Sequence, residues 1–141
     1  MKTKLLLLSL CLTVGPYIFG QTLLTEDFGA GTMPPAGWTI DAHAGNWSSS
    51  ATTQAGGSSP EAHLFYSPTF NGFSRLISPQ VNTTGNSSVT LSFKHYLDFY
   101  TTPFTIGVAT RSGGGAWSVV WSVNPTASIG PDMKVIQIVT S

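Results

Sequence analysis

Five consecutive residues, Tyr96-Leu97-Asp98-Phe99-Tyr100, concentrate the side chains best suited to gripping a ligand. Ring faces stack on the apolar face of a pyranose, and a carboxylate between them accepts hydroxyl hydrogens. Phe65, Tyr66 and Phe70 share that chemistry and would join the cluster if the intervening loops meet. The same rings could instead plug the end of a β-sandwich and touch no ligand. Side chains for bond-breaking are scarcer. Gly72-Phe73-Ser74-Arg75-Leu76 lacks the closing glycine of a nucleophile elbow, no His-Glu-x-x-His occurs, and Gly29-Ala30-Gly31 runs into Pro34-Pro35 instead of a helix. His43, His63 and His95 have no partner at metal-binding spacing. Glycoside hydrolysis would need a carboxylate pair drawn from Glu26, Asp27, Glu61 and Asp98, and these do not alternate along one strand. The residues point to a binding module that performs no chemistry. A small hydrolase is the alternative, and a structural spacer is the third reading.

The elements that must hold these groups are strands. Val89 to Leu97 alternates apolar and polar residues, as do Phe104 to Ala109 and Trp117 to Trp121. Val135 to Val139 reads as a buried strand, and Leu23–Phe28, Trp38–Asp41, Ala62–Tyr66 and Arg75–Ile77 as shorter ones. Pro34-Pro35, Gly56-Gly57, Thr84-Gly85-Asn86, Gly113-Gly114-Gly115 and Gly130-Pro131 punctuate them. No window keeps a helical period for three turns. The pattern predicts an all-β, antiparallel sandwich of jelly-roll type, with Val89, Leu91, Phe93, Ile106, Val108, Trp117 and Trp121 facing between two sheets. His95 keeps the phase of Phe93 and is expected to be a hydrogen-bonded core or rim residue. Ser48 to Ser59 reads as a long loop inside one domain.

Ahead of the strands, Lys2 and Lys4 precede an apolar run from Leu5 to Val14, and Gly20-Gln21 offers a small residue before a polar one. These are the parts of a secretory signal peptide spanning 1–20, which leaves a domain from 21 to 141. Cleavage removes Cys11, the single cysteine, so packing and not a disulfide must hold the exported domain. It also removes two lysines, leaving Arg75, Lys94, Arg111 and Lys134 against six acidic residues, a formal charge of −2. That balance, with no basic cluster, argues against nucleic acid and against an anionic membrane surface. Charged residues form only 9% of the chain, against roughly 25% in an average soluble domain. Ser, Thr, Gly and Asn supply the polarity instead, which suits a neutral, hydroxyl-rich ligand or simple extracellular inertness.

The order Glu26-Asp27-Phe28, Met33-Pro34-Pro35-Ala36-Gly37-Trp38, Asn46-Trp47, Leu76-Ile77-Ser78-Pro79 and Val89-Thr90-Leu91-Ser92-Phe93 resembles the cleaved-adhesin or choice-of-anchor J domain of secreted Bacteroidetes proteins. That domain is a jelly roll similar to the MAM domain. Gly107 to Thr110 and Trp117 to Ser122 also fit, so the resemblance runs from about Leu23 to Val139. It implies an extracellular glycan or protein as partner and further domains in a longer parent chain. It also implies a calcium site, with Glu26 and Asp27 as ligands; the same two residues can equally be strand-edge carboxylates. Asp41-Ala42-His43-Ala44-Gly45-Asn46-Trp47 departs from the family's ligand loop, since calcium takes six or more oxygens. The family's closing strands would follow Ser141, so a C-terminally incomplete domain is expected.

Overall fold

The computed structural model describes residues 20–100 and 103–140, which form strands, turns and loops around a single 3-10 turn at Ala44–Asn46. Residues 1–19, the bulk of the expected signal peptide, lie outside the described residues. Among the described residues no helix is long and apolar enough to cross a membrane. The strands are β1 (Thr39–Ile40), β2 (Trp47–Ser50), β3 (Glu61–Leu64), β4 (Leu76–Ile77), β5 (Ser88–Leu97), β6 (Ile106–Thr110), β7 (Ser118–Val123) and β8 (Ile129–Val139). They pair antiparallel as four two-stranded ladders, β1–β4, β2–β3, β5–β8 and β6–β7.

The longest ladder follows directly from sequence period. Half-buried and exposed residues alternate without a break from Val89 to Tyr100, and the register sets Leu91 opposite Ile136 and Phe93 opposite Lys134. β8 corrects two expectations. It is not buried on both faces: Ile136 is 7% exposed, whereas Val139 is 85% exposed. It also starts at Ile129 and passes through Gly130-Pro131, where the sequence suggests a turn. A β-bulge between His95 and Leu97 makes this possible. Gly130 takes φ 86° there, and a Cβ would collide with the His95 carbonyl oxygen. Pro131 lacks an N–H, which an edge strand tolerates.

Side chains join the β6–β7 ladder to the inner face of β5–β8. The Trp121 ring meets Phe93 at 6.1 Å and His95 at 6.0 Å, both edge-on, and Lys134 Nζ lies 4.9 Å from the same ring. Phe93, Ile106 and Val108 are half-buried on that side, as their phase predicts. His95 keeps the phase as well, but neither ring nitrogen finds a hydrogen-bond partner among the described residues, contrary to expectation. Trp117 is half-buried like these residues, just ahead of β7, and two arginines lie over its ring. Leu23–Phe28 is not a strand, because Phe28 sits in the left-handed region at φ 60° and ends the extended run.

β2 arises where the sequence suggests a loop. Its serines have no strand preference of their own, and pairing with β3 (Ser49 opposite Ala62, Ser50 opposite Glu61) decides the matter. Glu61 then pins the connection, accepting hydrogen bonds from Thr52 Oγ1 (2.8 Å), the Gln54 amide (2.9 Å) and the Ala55 amide (2.8 Å). Lys94 Nζ donates to the Gly56 carbonyl at 2.6 Å and ties this loop to β5.

The hydrogen-bonded units are narrower than the two broad sheets expected. β1 and β4 span two residues each, and bulges interrupt both longer ladders. One consequence is a long free edge. Among the described residues β8 pairs only with β5, and Met133, Val135 and Val139 are exposed along it. An apolar open edge is a template for another chain. We expect the 21–141 segment to associate at concentrations on the order of 100 µM. Light scattering should show the double variant Val135→Lys/Val139→Lys shifting it towards monomer, while a monomeric parent would contradict the edge assignment.

Candidate functional site

Beyond β1, residues 41–43 stay zipped against 71–75, the segment entering β4. The Arg75 amide donates to Asp41 Oδ1 at 2.8 Å, and Arg75 Nη1 donates to Asp41 Oδ2 at 2.6 Å. Ser74 Oγ donates to the Ala42 carbonyl at 2.6 Å and accepts from Trp47 Nε1 at 2.7 Å. His43 Nε2 lies 3.2 Å from the Asn71 carbonyl, with the residue itself held at φ 55°. Partial burial works to raise the Asp41 carboxyl, but the hydrogen bonds and charge of Arg75 outweigh it and hold the carboxyl below its ordinary value. The lowered value fixes the sign of its pH dependence. The contribution is complete above the unfolded carboxyl's value, about 3.9, and is lost as pH falls through the folded one. The stability difference between the parent and Asp41→Asn should therefore be present at about pH 6 and shrink steadily below about pH 4 in urea titrations. The pair is exposed enough for the difference to be small.

Asn46 organises the neighbouring loop. It is one of the few buried residues, and its Nδ2 donates to the Phe65 carbonyl at 2.8 Å and the Pro68 carbonyl at 2.9 Å. Its backbone amide donates to His43 O, and its carbonyl accepts from the Phe65 amide. The result is a ring surface. Tyr66 and Phe70 lie 5.2 Å apart, Phe70 stacks on His43 at 4.4 Å, and Phe65 meets His63 at 5.7 Å. Phe65 and Tyr66 are both exposed. Where the zipped segment continues, the Arg75 guanidinium lies 4.7 Å from the Phe73 ring and 5.3 Å from Trp117, and Arg111 lies 4.5 Å from Trp117. Phe73 is 73% exposed. Rings and guanidinium groups from three stretches of chain thus meet along one backbone seam.

The expected ligand residues divide between this seam and the end of β5. Tyr66 belongs to the seam. Tyr96, Asp98 and Tyr100 share the exposed phase of β5 and its continuation, Tyr100 being 80% exposed, while Phe99 takes the opposite phase and stacks on Phe104 at 6.1 Å. Among the described residues no ring contact joins Tyr66 to this second group. The sequence reading missed Asp41, Arg75, Arg111 and Trp117 as surface partners. Phe73 and Arg75 could have been paired, since residues two apart on extended chain share a face.

Glu26 and Asp27 act locally. Glu26 Oε1 accepts from the Phe28 amide at 2.7 Å, and Asp27 Oδ1 accepts from the Gly29 amide at 2.8 Å. Among the described residues no group of three or more His, Cys, Asp or Glu gathers as a metal would require. Calcium takes six or more oxygen ligands, and these two carboxylates alone supply too few to hold it tightly. Millimolar calcium should therefore move the melting temperature of the 21–141 segment by less than about 2 °C, whereas a bound ion far above its Kd would raise it severalfold more. A hollow of about 290 Å³ between residues 21–23 and 81–86 is lined by amides, hydroxyls and apolar groups, without an acid or base.

Comparison with protein-family models, with curated proteins and with solved structures finds no match to the chain. The reading of the seam rests on its own geometry.

Proposed function

We propose that the chain is an exported, non-catalytic binding module, of jelly-roll adhesin type, that recognises extracellular carbohydrate through the ring surface around Tyr66, Phe70 and Phe73. The observation that carries this reading is the Asn46 clamp, which spends a buried amide on holding a loop whose rings stay exposed. A fold gains nothing in burial from such rings, and rings fixed in the open are ready to stack on sugar. Tyr96, Asp98 and Tyr100 form a flanking surface for a longer glycan, with Phe99 as its support. The leader-like segment before Gln21 and the low charge support an extracellular setting. The ordered motifs from Glu26 to Ser122 support the jelly-roll assignment and a longer parent protein. The hydrolase alternative loses support from the carboxylates, because Glu26, Asp27 and Glu61 are engaged with local donors.

A glycan array probed with the purified 21–141 segment tests the proposal. Binding to a restricted glycan set, lost in Tyr66→Ala with the melting temperature unchanged, is the expected outcome. Release of reducing sugar from a bound glycan would move the protein to the hydrolases. Uniform silence across the array, with retention of an extracellular protein instead, would remove carbohydrate from the reading.

A further inference from the structure

We infer that the glycan recognised here carries a carboxylate: it is an oligosaccharide containing uronic acid, its acid group held by Arg111 and Arg75 and a ring resting on the exposed Phe73. The inference rests on the carbohydrate reading above and names the ligand class.

A guanidinium stacked on a ring uses its flat face and leaves its N–H donors, which lie in its own plane, pointing outward. Arg111 is in that state, 4.5 Å from Trp117. Among the described residues its guanidinium makes no hydrogen bond and no ion pair. Arg75 is half engaged. Its Nη1 is bonded to Asp41, which fixes the orientation of the fork and leaves the other donors available. Two cations against the single carboxylate of Asp41 give the seam a local excess of positive charge on an exported domain whose formal charge is −2.

The surroundings favour a sugar acid over an acidic peptide. Of the other cations downstream of residue 20, Lys94 donates to the Gly56 carbonyl and Lys134 lies over Trp121, and neither makes a cation–ring contact with Phe73 or Trp117. No further positive charge is at hand for a run of acids. What lies beside the two forks is ring surface, with Phe73 exposed. One carboxylate attached to a stackable ring matches that layout.

The test compares binding of a galacturonic acid trimer and of its fully methyl-esterified form, which keeps the rings and removes the charge. Calorimetry on the full exported chain should show the acid bound about tenfold more tightly than the ester, as one bidentate charged contact supplies, with the difference narrowing in high salt. Arg111→Gln should bring the two affinities together, and an unchanged melting temperature would confirm that the fold is intact. Equal affinity for acid and ester in the parent overturns this inference and leaves the carbohydrate reading standing. Binding of neither also overturns this inference, and the carbohydrate reading then stands or falls with the glycan array. Tighter binding of a glutamate-rich peptide than of the trimer reassigns the seam to protein.

Discussion

Asn46→Asp is expected to destabilise the domain by about 3–5 kcal/mol and to abolish binding at the ring surface. The change is nearly isosteric, so packing is not the cause. Asn46 Nδ2 supplies two donors, to Phe65 O and Pro68 O, from a buried position. A carboxylate there has no hydrogen to give, and both carbonyls would face a negative oxygen. The loop from 65 to 70 can escape only by moving away, which scatters Tyr66 and Phe70 and frees His43 from its stack. Urea denaturation should record the lost stability, and amide exchange should localise it to 43–46 and 65–70. An aspartate variant as stable as the parent would mean that the clamp contributes nothing.

Ile136→Ala should cost about 2–4 kcal/mol, a large share of the 5–15 kcal/mol typical of a whole domain. Ile136 is the single large apolar side chain in the buried class among the described residues, and it faces Leu91 across the β5–β8 ladder. Truncating it removes contacts where the core is already thin. The open surroundings let neighbours relax into the gap, which holds the cost near the lower end of that range. Val139→Ala, on the same strand but outward, serves as the comparison and should cost under about 0.5 kcal/mol. Equal losses at the two positions would contradict the assignment of the inner face.

Period-2 patterning made the all-β, antiparallel class legible, and the phase from Val89 to Tyr100 needed no structural knowledge to read. β8 was half legible: the apolar run from Val135 to Val139 hid its alternation, and Gly130-Pro131 looked like a stop. A glycine bulge that lets a strand continue and a glycine turn that ends one have the same local sequence. β2 was invisible because serines carry no strand signal until a partner claims them. The site shows the same division. Tyr66, Phe65 and Phe70 were readable as ring donors, but the seam depends on Asp41 meeting Arg75, 34 residues away, and on Arg111 meeting Trp117. No local pattern encodes the first pair, and the second closes across the glycine turn at 113–115. Trp117 kept strand phase with core residues and is half-buried as they are; the arginines over it are what the phase did not reveal.

The most direct test of the central claim, that this seam holds sugar without cleaving it, is an NMR titration. Isotope-labelled 21–141 protein would be titrated with the galacturonic acid trimer while the sugar's own anomeric signals are followed. The expected result is saturable shifts concentrated at residues 41–43, 65–75 and 111–117, with the trimer intact throughout. Shifts confined to the turn at 26–29 or spread without focus would contradict the account, as would new reducing-end signals from a shortened sugar.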